Sequence, residues 1–284
     1  MPIFLGNKEI GAAALGNLPI LNVQQTVLNP ATVAFVAATG ITGSAVIAVN
    51  TLVASLQDEN LWNGLDAIYP MVGANAAAHK YNLKDPQDTD AAFRLLFFGG
   101  WTHNSDGAKP NGTTGAATTY YNLSSNLTTS NGSLSYYSFT NNAAADDVEI
   151  GALDNSGPGG TSTDSLIRVF STPGGRFYSS WGGGDPNAII SDSRGFYLLN
   201  AQTSTTVDGW KNGSELINNG ATANRGLPNL DVYIGALNLN NTETFLSDRG
   251  CSFATIGNTI ASGKEATFST IVNNFQSQLG RYSY

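Results

Sequence analysis

The sequence predicts a mainly β protein: a jelly-roll sandwich with an N-terminal hairpin arm, a short helical neck and a C-terminal helix. Three observations lead there. Short apolar or alternating runs recur between Trp62 and about Ile260, punctuated by Gly, Asn, Pro and Asp. Charged residues make up only 12% of the 284-residue chain, which carries 32 glycines, so the polar surface falls to Asn, Ser, Thr and Gly. These residues favour pleated strands and positive-φ turns over helices. Near the C-terminus, one apolar stripe recurs at helical spacing.

From the start of the chain, Ile3 to Val23 contains an internal echo. Phe4-Leu5-Gly6-Asn7-Lys8-Glu9-Ile10 is followed by Ala14-Leu15-Gly16-Asn17-Leu18-Pro19-Ile20. Each copy is an apolar pair, a Gly-Asn turn and a return to an apolar residue, the pattern of a small hairpin. Two such units cannot bury their own apolar side chains. Residues 1–30 therefore read as a docking arm, with Phe4, Leu5, Ile10, Leu15 and Ile20 as its assembly residues. Residues 31–61 read as a helical segment. Val33 and Val36 suggest a short helix ending before Gly40; Val46, Val49, Leu52, Val53 and Leu56 form a longer stripe, with Thr42 or Ser44 as N-cap.

Residues 62–284 read as the sandwich with its closing helix. The expected strands are Phe93 to Phe98, Leu134 to Phe139, Val148 to Leu153, Ser165 to Phe170, Gly195 to Leu199 and Val232 to Leu237. Asn131-Gly132, Asn212-Gly213 and Pro173-Gly174-Gly175 mark turns. Ser262-Gly263-Lys264-Glu265 has the form of a capping box. Phe268, Ile271, Val272, Phe275 and Leu279 then make the stripe, expected to pack on the sandwich rather than on a partner.

Composition removes several functions. A net charge of −8 and a pI near 4.6 lack the basic footprint of a nucleic-acid or anionic-lipid binder. No run approaches the ~18 apolar residues of a membrane span. The N-terminus lacks a basic and then apolar leader, so synthesis in a cytoplasm without a signal peptide is expected. Cys251 is the only cysteine, which excludes an intrachain disulfide and CxxC metal sites.

Catalytic chemistry is mostly absent. The only histidines, His79 and His103, have no metal-ligand neighbours at short spacing, and no metal or cofactor is expected. Gly250-Cys251-Ser252-Phe253-Ala254 approaches a nucleophile elbow, but both histidines precede it. Gly263-Lys264 lacks the remainder of a phosphate loop. Asp147 and Glu149 alternate on one face, as a glycosidase pair could, although solvated loop acids are the preferred reading. Sugar recognition by aromatic faces and amides is the remaining chemistry. Trp101, His103, Asn104 and Trp181 have it at strand-to-loop transitions. The competing reading, ranked ahead, has Trp62, Trp101, Trp181 and Trp210 filling gaps in the core.

One ordered succession resembles a module widespread in structural proteins of tailed bacteriophages. It comprises Leu61-Trp62-Asn63-Gly64-Leu65-Asp66-Ala67-Ile68-Tyr69-Pro70, His79 to Pro86, Thr89 to Leu95, Gly99-Gly100-Trp101-Thr102-His103, Pro110-Asn111-Gly112-Thr113, Trp210-Lys211-Asn212-Gly213, Tyr233-Ile234-Gly235-Ala236 and Phe268 to Arg281. Together these cover roughly Ala34 to Arg281. The resemblance implies a concanavalin-A-like (laminin-G/lectin-type) sandwich in a virion component. The acidic motif of the catalytic relatives and a calcium-ligand cluster are both missing. The expectation is a virion structural protein of tail-fibre or baseplate type, assembled in the host cytoplasm. It would pair with other virion proteins, with copies of itself and with a host-surface glycan, without catalysis. The alternatives are a capsid decoration or cement protein and a tail-associated glycan-degrading enzyme.

Overall fold

The structure is a computed structural model that describes residues 3–5, 8–10, 27–142, 147–157, 161–170 and 175–281. Two short strands, β1 (Ile3–Leu5) and β2 (Lys8–Ile10), pair antiparallel with Ile3 opposite Ile10. The first copy of the N-terminal echo is thus a hairpin. Leu15 and Ile20 lie outside the described residues.

Helix α1 (Pro30–Thr39) begins where the Asn29 side chain accepts from the Ala31 amide at 3.0 Å and Pro30 fills the first turn. It ends at Gly40, whose φ of 68° closes the helix with its amide on Val36 O. Helix α2 (Ser44–Asp58) buries Ala48, Val49, Leu52, Val53 and Leu56. Its N-cap is Gly43, with no side-chain cap, so neither Thr42 nor Ser44 plays the expected part.

The remaining elements are β3 (Leu65–Tyr69), α3 (Ala76–His79), β4 (Leu96–Phe98), β5 (Trp101–Asn104), β6 (Gly107–Pro110), β7 (Ala116–Asn122), α4 (Leu123–Asn126), β8 (Gly132–Ser138), β9 (Val148–Asp154), β10 (Thr163–Phe170), β11 (Arg176–Trp181), β12 (Asn187–Ile189), β13 (Gly195–Ala201), β14 (Thr206–Lys211), β15 (Ser214–Ala221), β16 (Asp231–Ile234), β17 (Leu237–Leu239), β18 (Thr242–Thr244), β19 (Cys251–Gly257) and α5 (Glu265–Gln278). They form two sheets. One runs β12-β11-β10-β9-β16-β7-β4, with β17 and β18 added beside β9. The other runs β15-β14-β13-β8-β19-β6-β5, with β3 on β19. Pairing is antiparallel except for β17 on β9. The Asn212-Gly213 signal is a two-residue turn joining β14 to β15, with both residues at positive φ (49° and 80°).

Two cores follow. Between the sheets lie Tyr121, Tyr136, Ile150, Ile167, Phe177, Trp181, Tyr197 and Leu199. On the outer face of the second sheet, Tyr137, Phe196, Leu198 and Phe253 meet the helical residues Phe35, Val49, Leu52, Val53, Phe268, Val272 and Phe275. Strands β8, β13 and β19 are therefore buried on both faces throughout. Only β13 reads as a near-continuous apolar run, while the small hydroxyls of β8 and β19 are hydrogen-bonded inside, as Ser135 is to Thr255 at 2.6 Å. Residues 31–61, expected as a neck, are packed into this same body. An apolar sheet face needs a cover, and α1, α2 and α5 supply it.

The capping box at α5 is corrected. The helix starts at Glu265 with no side-chain cap, and Ser262 is exposed. Glu265 does reach back, accepting from the Gly263 amide at 2.8 Å. Its Oε1 also accepts from Asn200 Nδ2 at 3.2 Å and Gln202 Nε2 at 3.0 Å. The carboxylate thus anchors the helix start to β13 and the residue after it. Ser262→Ala should therefore change stability by less than ~0.5 kcal/mol. Asn29→Ala, which removes a true cap, should cost about 1 kcal/mol. Paired urea melts test the order: an equal shift of both midpoints contradicts it.

Candidate functional site

Strand β5 brings Trp101, His103 and Asn104 together at the edge of the second sheet, paired with β6 so that Trp101 faces Pro110 and His103 faces Ala108. Trp101 bridges the two sheets. Its indole N–H is shared between the carbonyls of Phe98 and Ala116, each at 3.1 Å. Its ring meets Phe97 edge-on at 5.0 Å and leans on Gly235, where a Cβ would come within 2.9 Å. The half-buried indole is thus a strut whose polar atom is already used.

His103 is half-buried, with its Nδ1 3.0 Å from Nδ1 of His79 and Phe97 edge-on to its ring at 4.7 Å. One of the two nitrogens must carry the proton and the other accept it. His79 is buried at the end of α3. Burial, with the positive ends of His103 and Arg281 nearby, pushes its pKa down to about 3. Burial also lowers that of His103. Both rings are therefore neutral at neutral pH. Asn104 is exposed, but its Oδ1 accepts from the amides of Asp106 and Gly107 at 2.9 and 3.2 Å and forms the β5–β6 turn. The β5 edge consequently offers a ligand the imidazole of His103 and little else.

Trp181 does not join it. The ring is 1% exposed, lies between the sheets and gives its N–H to Thr128 O at 3.3 Å. It covers Gly132 so closely that no Cβ fits there. Trp181 therefore fills the core and presents no face to a sugar, contrary to the sugar-binding expectation. Trp62 and Trp210 pack against the helix-side core.

Asp147 and Glu149 are not solvated loop acids. The β9–β10 register skips Glu149, pairing Ile150 with Ile167 and Val148 with Arg168. This bulge re-aims the carboxylate inward. Glu149 is fully buried: Oε1 takes Arg249 Nη1 at 3.0 Å and Ser247 Oγ at 3.3 Å, and Oε2 takes the Val169 amide at 2.7 Å. The same Nη1 lies 3.2 Å from Asp147. Burial raises Glu149 to about 7 and Asp147 to about 6, with Arg249 opposing both shifts. Arg249 is itself fully buried, and its backbone carbonyl accepts from the Tyr136 hydroxyl at 2.8 Å. With every oxygen of Glu149 engaged inside the protein, this pair is an ion cluster joining the sheets, not an acid–base dyad facing a sugar.

The sequence reading missed the outer face of the other sheet, where β4, β7 and β16 present Leu96, Phe98, Tyr120 and Tyr233. The signal was Tyr120-Tyr121: on a strand, one of two adjacent tyrosines must point away from the core.

Neither a protein-family model nor a curated protein sequence matches the chain. Among solved structures, a mutant of Trypanosoma rangeli sialidase displaying trans-sialidase activity aligns with a TM-score of 0.51 at 14% identity, over 82% of this chain. The chain spans only 39% of that sialidase. Domain 4 of an extracellular arabinanase from Geobacillus stearothermophilus, solved with arabinotriose, aligns with a TM-score of 0.44 at 14% identity, over 72% of this chain and 98% of the domain. The likeness to the sialidase shows the two-sheet β-sandwich fold.

Proposed function

We propose that this chain is a non-catalytic structural and adhesive component of a virion. In this reading its sandwich faces solvent and its N-terminal region docks to other virion proteins and to copies of itself. One observation carries the proposal. No Asp, Glu, Lys or Arg occurs between Glu9 and Asp58. The helices inside that stretch expose apolar side chains, with Val33 of α1 at 53% and Ile47 of α2 at 48%. Helix α1 is apolar around its circumference but buries only Thr32 and Phe35. An uncharged, apolar surface of this kind is suited to a partner. It continues in sequence from the hairpin arm.

The adhesive half of the reading has separate support. The second sheet is covered by helices, whereas the first keeps an outer face bearing half-buried aromatics and the exposed Leu96. The Asp147–Glu149 pair, the strongest motif for sugar cleavage, is sealed by Arg249.

Deletion of residues 1–24 tests the assembly role. The truncated protein should stay folded, with an unchanged melting midpoint, and should fail to enter particles. Normal incorporation would overturn the docking assignment, and locating the full chain by cryo-EM separates a tail position from a capsid-surface one.

A further inference from the structure

The register of the first sheet builds an aromatic platform. Leu96 of β4 faces Thr118 and Phe98 faces Ala116 of β7, while Tyr233 of β16 faces Thr118 from the other side. Alternation aligns Leu96 and Phe98 in one column, Ala116, Thr118 and Tyr120 in the next, and Asp231 and Tyr233 in the third, with Arg94 in the segment before β4. The intervening positions Ala117, Thr119 and Tyr121 are fully buried, and the outward Ala116 and Thr118 are themselves covered (0% and 8% exposed), so the accessible part of the face is Leu96 with the half-buried rings of Phe98, Tyr120 and Tyr233. Neighbouring strands lie ~4.8 Å apart, so three columns span about 10 Å. Ala116 and Thr118 are the low centre. Phe98 and Tyr233 meet edge to face at 5.8 Å, and the Arg94 guanidinium lies 5.5 Å from the centre of the Tyr120 ring. Leu96 is 41% exposed.

Tyr120 has a φ of 55°, a left-handed conformation that a bulky residue seldom adopts. It sits where the β7–β16 register slips between Asp231 and Tyr233. The Thr119 hydroxyl secures the bulge, donating to Val232 O at 2.8 Å and accepting from the Tyr121 amide at 3.1 Å. A strained aromatic held on an outer face does not serve the core. Strain of this kind concentrates at ligand sites.

The charges around the platform select the ligand. Arg94 is already paired with Asp90 at 2.8 Å and Asp88 at 3.3 Å, and Lys80 with Asp88 at 2.5 Å. Asp231 and Glu243 act on the Tyr233 hydroxyl, which together with its burial they hold above its ordinary pKa. Two cations thus face four carboxylates, which repels an anionic ligand. What fits is a molecule with an apolar face for the rings and hydroxyl donors for the carboxylates.

Building on the adhesive reading, we propose that this platform is the glycan-binding site and that it takes neutral hexose units, not sialylated ones. The sugar stacks its C–H face on Tyr120 and Tyr233 and donates hydroxyls to Asp231 and Asp90. Calorimetry of the full chain with cellohexaose, maltohexaose, mannohexaose and 3′-sialyllactose tests this. At least one neutral probe should bind, and sialyllactose should not. Tyr233→Ala should weaken binding by about tenfold or more, as loss of a stacking ring does. Tyr120→Asn should do the same while keeping the fold, because Asn tolerates the left-handed backbone. Tyr120→Phe should retain binding. Parental affinity in both ring-deletion variants, binding of sialyllactose alone, or silence from every neutral probe each overturns the proposal. Particle incorporation of the same variants should be unchanged, so failure of this site and failure of the assembly reading are told apart.

Discussion

Replacing Arg249 with alanine should cost about 3–5 kcal/mol, because it strands the fully buried Glu149 carboxylate and the half-buried Asp147, which share one guanidinium nitrogen. Glu149 and Arg249 are both fully buried and 3.0 Å apart, and Asp147 lies 3.2 Å from the same nitrogen. The cost should grow with pH. Burial already raises Glu149 to about 7 in the folded protein, against ~4.3 for an unfolded glutamate. The folded state therefore binds more protons in this window. Stability from this group is fully present below the unfolded value and is lost as pH rises through about 7. Removing Arg249 removes the opposing attraction, raises the folded pKa further and extends the loss to higher pH. Urea melts of parent and Arg249→Ala at pH 5 and pH 8 measure this. A penalty equal at both pH values would show that the cluster is not titrating as described.

The second large effect is expected at Phe275. Its ring is 1% exposed and packs 6.0 Å from Phe253 of β19, in the core shared with α2. Phe275→Ala should cost ~3–5 kcal/mol through lost transfer and the cavity left behind. That is a large part of the ~5–15 kcal/mol typical of a domain. A helix reserved for a partner would show no such loss in the isolated chain. An unchanged denaturation midpoint would therefore contradict the packing.

Local signals decided much of this fold. The stripe of α5, the helix stop at Gly40 and the Asn212-Gly213 hairpin were legible because each depends on residues within one or two turns of chain. Several strands were not. β15 is a largely exposed strand of mostly polar residues, so it carries no buried alternation, and β7 is rich in Ala and Thr. Strand Phe93–Phe98 shrank to Leu96–Phe98 because Phe93 turns left-handed at φ 56° after a short 3-10 turn.

The sequence by itself determined the fold class, the absence of disulfides and the apolar faces of the helices, since composition and periodicity act on every residue alike. Only the tertiary structure decided which aromatics are core and which are surface. Trp181 and Tyr120 each follow two hydroxyl residues on a strand, yet the first is sealed over Gly132 and the second is turned outward by a bulge. Likewise, Glu149 became a buried ion partner only because Arg249, 100 residues along the chain, meets it across the sandwich. Burial and charge pairing are set by neighbours distant in sequence, and local patterns do not record them.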